Sequence, residues 1–289
     1  AAALGAFVIW GLLPVYLKPL HDIGSLQVIA HRIAWSVVFI LGFMLARGEL
    51  GKLWATLSNR ALLARLTLTA GLITINWLTY VWAVANGHVV ETSLGYFINP
   101  LLNVLLGVIV LREGLSRAQW LAVAVAGLGV AYLTVMTGHL PWIALTLAMS
   151  FGLYGFVRKV ISVEALPGLA TETLLLLPFA LGYLVWAEIN GTAAFGHGSS
   201  VGLNAMLIGA GPVTAVPLFL FAYGARLIPY STIGLLQYLA PTLQLLCGLF
   251  LFHEPFERER AVGFVLIWSA LGIYAAEGLW RARKNARTS

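Results

Sequence analysis

Apolar residues along this chain run in stretches of about fifteen to twenty-five, separated by short clusters of charge, Gly or Pro. The stretches fall at 3–17, 26–46, 66–85, 92–111 and 119–137, then at 140–157, 169–187, 201–225, 230–252 and 261–279. Runs of this length suit a hydrocarbon layer of ~30 Å at about 1.5 Å of rise per residue. Backbone groups find no water inside lipid, so each stretch is predicted to be a helix. The expected fold is an all-α membrane protein with ten transmembrane helices.

Composition strengthens that picture. Of 289 residues, 60% are hydrophobic and 10% charged, and mean hydropathy is +0.91; soluble domains carry about 25% charged residues. A water-soluble protein is excluded, and ten spans leave no room for a separate soluble domain. The single cysteine, Cys247, sits in an apolar run and has no partner for a disulfide or thiolate metal site. No Met precedes Ala1, so further N-terminal residues are expected in the natural protein. The opening run lacks a small-residue cleavage site and leads into further spans, which argues against a removable signal peptide.

Net charge is +6, but the basic residues are strung between apolar runs rather than clustered, so nucleic acid is not the expected partner. With ten spans the connections alternate between two faces. Thirteen Lys and Arg fall on one face, only Lys18, Arg258 and Arg260 on the other, and Arg32 lies within the second span. The positive-inside rule then places both termini in the cytoplasm, and the expected location is the cell's inner (plasma) membrane.

Sliding the sequence on itself by 141 positions superimposes Gly11 on Gly152, Lys18 on Lys159, Pro100 on Pro241, Gly107 on Gly248 and Glu113 on Glu254. One shift serves both ends of the match, which predicts two five-helix repeats over 1–138 and 139–289. Five is odd, so the second repeat enters the membrane in the opposite sense. Inverted repeats of this kind are typical of secondary transporters.

The segments Trp10-Gly-Leu-Leu-Pro14-Val-Tyr16, His31-Arg32-Ile-Ala-Trp35, Asn76-Trp-Leu-Thr-Tyr80, Ser93-Leu-Gly-Tyr-Phe-Ile-Asn-Pro100 and Leu236-Gln-Tyr-Leu-Ala-Pro-Thr242 carry a further signal. Over essentially the whole chain the sequence resembles the RarD branch of the EamA family, in the drug/metabolite transporter superfamily. The resemblance implies ten helices in two inverted five-helix repeats and export of small metabolites. The amino-acid exporter YddG is a similar relative, and amino acids are the substrate class it suggests.

Polar residues inside spans are costly towards lipid and should face a cavity or one another. Tyr96, Asn99 and Asn103 are three and four apart, on one helical face. Gln237 and Gln244 are the repeat equivalents of Tyr96 and Asn103. The two polar stripes predict either a substrate cavity between the halves or interhelical hydrogen bonds that hold the spans together. Pro100 and Pro241 free the carbonyls of Tyr96 and Gln237 beside the stripes, or simply kink their helices. Asn76 and Tyr80 share a face of the third span, flanked by Trp77 and Trp82. Trp10 and Tyr154 are candidates for the same aromatic lining. The candidate substrate-binding set is Trp10, Asn76, Tyr80, Tyr96, Asn99, Asn103, Tyr154, Gln237 and Gln244.

Charged residues within or at the edges of spans are few. Arg32 and Glu91 lie towards the outer face, and Arg158, Lys159, Glu172 and Arg226 towards the inner one. Arg32 with Glu91, and Glu172 with Arg158 or Arg226, are candidate gates; the alternative is anchoring at the lipid interface by snorkelling side chains. Glu113 and Glu254 directly follow spans and suit helix-end contacts.

The six His are scattered without metal-ligand spacing, and no GxSxG, Walker or Rossmann motif is present. An enzyme is therefore not expected, nor a metal, a cofactor or directly bound ATP. The expected partners are a small-molecule substrate and the lipid bilayer, and the oligomeric state is left open. Export of hydrophobic drugs or other metabolites, and a non-transporting membrane protein or channel, are the rival readings.

Overall fold

The structure, a computed structural model, describes residues 1–20, 22–86, 89–137, 142–196, 200–251 and 258–288. Among these there is no strand. The helices are α1 (Ala2–Leu17), α2 (Ser25–Ala46), α3 (Leu50–Ser58), α4 (Arg60–Ala85), α5 (Val89–Ile109), α6 (Arg117–Thr137), α7 (Trp142–Val160), α8 (Ala165–Ile189), α9 (Val201–Leu227), α10 (Tyr230–Gln237), α11 (Leu239–Leu246) and α12 (Arg258–Thr288). A 3₁₀ turn, Lys18–Leu20, follows α1, and a π-helical turn, Cys247–Leu251, follows α11. Taking α10, α11 and the π turn as one run, seven helices among the described residues are long and apolar enough to cross a membrane. Two shorter apolar segments, Gly95–Ile109 and Ala261–Glu277, accompany them.

Several boundaries depart from the hydrophobic pattern, each for a local reason. The third apolar stretch becomes helical at Arg60 rather than at 66, because the Asn59 side-chain oxygen accepts the backbone N–H groups of Ala61 and Leu62, both at 3.1 Å, and so caps the helix. The short α3 ahead of it lies outside the ten apolar stretches. It buries Leu53 and Thr56, packs on α8, and is tied to the start of α8 by Lys52 and Glu164, 2.9 Å apart. That hydrogen bond holds the Lys52 ammonium above its ordinary pKa. At the other end of the chain, α12 runs on past 279 through the basic tail. The ninth apolar stretch is interrupted: α10 ends at Gln237 and a new helix starts at Leu239, with Tyr238 alone between them. Its counterpart α5 carries Pro100 without interruption.

Small residues set the tightest helix contacts. Gly211 brings α9 against α2, where the Ser36 hydroxyl donates to the Gly211 carbonyl at 3.0 Å; a Cβ at Gly211 would fall on the Trp35 carbonyl, with Ser36 N only 2.7 Å away. Gly234 likewise seats α10 on the Pro100 carbonyl of α5. In a bilayer, where lipid tails are as apolar as Leu, such close backbone approach supplies much of the attraction between helices. α6 and α12 pack on each other through Ala122, Ala126 and Ala270. Large apolar side chains such as Phe179, Ile189 and Val201 are turned outward, as lipid contact requires.

Candidate functional site

A cavity of about 620 Å³ lies at the centre of the bundle, walled by α1, α2, α4, α5, α7, α9, α10 and α11. Seven of the nine residues in the candidate substrate-binding set are in its wall: Trp10, Asn76, Tyr80, Tyr96, Asn99, Gln237 and Gln244. The polar stripes therefore do two things at once. Asn76 Nδ2 donates to the Leu147 carbonyl (2.9 Å) and to Ser150 Oγ (3.0 Å), tying α4 to α7. Asn99 Nδ2 donates to the Ala148 carbonyl at 2.7 Å, and Gln244 Nε2 to the Trp10 carbonyl at 3.1 Å. These amides join helices, and their residues border the cavity as well.

Two expected wall residues lie behind it. Asn103 is fully buried, donating to Gln237 Oε1 (2.7 Å) and Asn99 Oδ1 (3.1 Å) where α5 meets α10, so it buttresses the wall from outside. Tyr154 is displaced by its own helix: Phe151, one turn earlier on α7, takes the wall position, and the Tyr154 ring stacks on Phe221 below. Of the mid-span tryptophans, Trp10 and Trp77 line the cavity, while Trp82 packs on Trp142 at 5.4 Å. Phe151 lies 141 positions after Trp10, the shift at which the sequence matches itself, and that offset is the sequence signal that would have found it.

The charges divide between the two ends. Arg32 of α2 is in the cavity wall, its Nε donating to Thr214 Oγ1 at 2.8 Å and its guanidinium carbon 5.3 Å from the centre of the Trp77 ring. Lys18 also borders the cavity, at the end of α1. Glu91 belongs to α5, but its side chain lies outside the described residues, as does Glu254.

Below the cavity, towards the end of the bundle where α1 begins, Phe7, Trp10, Phe151 and Phe221 form a floor, with neighbouring ring centres 5.4 to 6.1 Å apart. Beneath the floor sits a buried polar cluster. Glu172 accepts from Thr69 Oγ1 (2.6 Å) and from the Tyr154 hydroxyl (3.3 Å), and Arg158 Nε stands 3.7 Å from its Oε1. Arg158 Nη2 donates to the Ala165 carbonyl at 3.0 Å, while its Nε and Nη1 have no hydrogen-bond partner among the described residues. Of the two basic residues paired with Glu172 by depth, Arg158 is the neighbour. Arg226 instead donates to the Val163 carbonyl at 2.9 Å.

More contacts close that end. Lys159 Nζ donates to the carbonyls of Ala225 (2.9 Å) and Ile228 (2.7 Å) at the finish of α9, where a cation meets the negative end of the helix dipole. Glu113 accepts the backbone N–H groups of Tyr230 (2.7 Å) and Ser231 (2.9 Å), capping α10. This is the helix-end role its position predicted. At the opposite end, Tyr16 donates to the Met206 carbonyl, and Gln27 accepts the Ala194 N–H at 2.9 Å. Among the described residues, no group of three His, Cys, Asp or Glu side chains is placed to hold a metal ion.

The sequence profile of the EamA-like transporter family matches residues 1–135. An uncharacterized transporter of Pseudomonas aeruginosa is 46% identical over 283 residues, spanning 98% of this chain and 94% of the relative. Protein RarD of Streptomyces exfoliatus is 43% identical over 282 residues, 97% of this chain and 89% of the relative. A solved crystal structure shares the fold at TM-score 0.72 and 17% identity, covering 94% of this chain and 95% of that one. The all-helical bundle, its apolar exterior, its central cavity and relatives matched along nearly their full length agree on one assignment: the chain belongs to the EamA-like transporter family and is a multi-pass membrane protein of RarD type that works on a small molecule.

Proposed function

We propose that this chain is a secondary transporter that exports small metabolites, amino acids foremost, across the inner membrane by alternating access. The working parts are ten helices in two inverted five-helix repeats, 1–138 and 139–289, whose junction lies outside the described residues. Helices beginning at Ala2, Ser25, Arg60, Val89 and Arg117 have counterparts that begin 140 or 141 residues later, at Trp142, Ala165, Val201, Tyr230 and Arg258. The observation that carries the reading is that equivalent residues of the two repeats meet in one cavity: Trp10 with Phe151, Trp77 with Leu218, Tyr96 with Gln237. A site on the axis relating two similar halves is what a carrier needs to present the same groups to either side.

With both termini cytoplasmic, the aromatic floor and the Arg158–Glu172 cluster seal the inner end, and the cavity faces outward. Arg226 supports that seal through Val163, and Arg32 with Glu91 closes the outer end in the alternate state. Each contact is made in one state and broken in the other, so substitution shifts populations.

Orientation is tested by labelling in a Cys247→Ala background. A membrane-impermeant thiol reagent added outside cells is expected to reach Gly196→Cys and to miss Ser58→Cys; the reverse would turn the transport direction around. Transport is tested by counterflow of labelled amino acids in proteoliposomes. Saturable, trans-stimulated flux is expected, reduced roughly threefold to tenfold in Tyr96→Ala through loss of aromatic contact. Flux that neither saturates nor responds to substrate on the far side would make the protein a channel.

A further inference from the structure

The charged side chains in the cavity wall, among the described residues, are Lys18 and Arg32, both cationic. Of the wall's four amide side chains, Asn76, Asn99 and Gln244 donate to neighbouring helices, and Gln237 accepts from Asn103 through Oε1 and leaves its neutral Nε2 without a described acceptor. Arg32 differs. Its Nε bond to Thr214 and its place over Trp77 hold the guanidinium still, yet its two Nη groups make no hydrogen bond to a described residue. The hydroxyls of Tyr80 and Tyr96, in the same wall, make none either. A cation inside a membrane protein is costly to maintain unless something of opposite charge comes to it. The rest of the wall is aromatic or aliphatic: Phe7, Trp10, Trp77, Phe151, Leu147 and Leu218.

We propose that the cavity takes small amphipathic carboxylates, with Arg32 as the anchor of the carboxylate and the aromatic wall as the seat of the apolar part. This rests on the carrier reading and narrows its substrate class. A guanidinium presents paired N–H donors that match the two oxygens of a carboxylate. Here Nε is already spent on Thr214, so the Nη pair faces the ligand, and the Tyr80 and Tyr96 hydroxyls complete the donor set. An amine of the same shape meets the Arg32 guanidinium and, among the described wall residues, no carboxylate. Neutral and cationic hydrophobic compounds are thereby disfavoured by the same charges that favour the acid.

The test is equilibrium binding of tritiated 3-phenylpropanoate and tritiated phenethylamine to the purified protein in detergent, with counterflow of both in proteoliposomes. The two probes share a phenylethyl body and differ in the charged end. Wild type is expected to bind the acid saturably and at least tenfold tighter than the amine. Arg32→Gln should lose roughly tenfold to a hundredfold in acid affinity, the range of a charged hydrogen bond. Arg32→Lys should fall between, since it keeps the charge and loses the fork. Equal binding of acid and amine by wild type, or wild-type acid affinity in Arg32→Gln, overturns the proposal; the first comparison needs no variant to fold. Saturable counterflow without preference for the acid leaves the carrier standing and removes this assignment. Acid-selective binding with no trans-stimulated flux does the opposite.

Discussion

Glu172→Ala is expected to lower the thermal midpoint of the detergent-solubilised protein by on the order of 10 °C, corresponding to a loss of about 3–5 kcal/mol. Arg158 is 1% exposed and Glu172 2%, so removing the carboxylate leaves a guanidinium buried with no opposite charge, and strips an acceptor from Thr69 and Tyr154 as well. Cys247 is the chain's only cysteine and is buried, so a thiol-reactive fluorogenic dye reports unfolding without background from other sites. Breaking a buried pair costs more than deleting both members. Arg158→Met combined with Glu172→Leu should therefore recover most of the loss. A double variant as unstable as the single one would show that packing, and not the uncompensated charge, sets the effect.

Gly211→Ala should destabilise by about 1–3 kcal/mol, the usual range for overfilling a close-packed contact. The added methyl would land on the Trp35 backbone, and main chain cannot swing away as a side chain can. Either α9 moves off α2, losing the Ser36 hydrogen bond, or the helix distorts. The matched control is Gly182→Ala on α8, where a Cβ meets nothing within 4 Å; it should gain roughly 0.5–1 kcal/mol from helix propensity alone. Opposite signs in the same dye assay would confirm that contact decides. If both variants stabilise, the α2–α9 contact is looser than drawn.

Helix positions were legible because the length of an apolar run is dictated by lipid and needs no tertiary information. The exceptions are instructive. α3 is short and carries Lys52 and exposed Trp54 beside buried Leu53, so it resembles a charged connection unless its apolar spacing is weighed on its own. Pro100 and Pro241 are equivalent in sequence, yet only the run containing Pro241 is broken; what surrounds each proline differs, and that information is not local. In the site, helical spacing correctly put Asn99 and Asn103 on one face, but it does not say where along that face a cavity stops. Asn103 falls past the edge, at the contact with α10. Tyr154 stands out in the sequence as an aromatic with a polar tip, whereas Phe151 is marked only by lying 141 positions after Trp10. Depth in the membrane leaves Arg158 and Arg226 equal as partners for Glu172; the tie is broken by side-chain reach, which brings Arg158 to 3.7 Å from Glu172 and takes Arg226 to the Val163 carbonyl.

The aromatic floor also bears on energy conservation. A membrane that stores work as an ion gradient is discharged by any continuous thread of water through its proteins. Bound water needs two to four polar partners, and the faces of Phe7, Trp10, Phe151 and Phe221 offer none, with ring centres too close for a file of water between them. A bare ion in such a layer would shed its hydration with nothing to replace it. On the carrier reading proposed above, a floor without partners for water keeps the empty protein from discharging the gradient that the membrane stores.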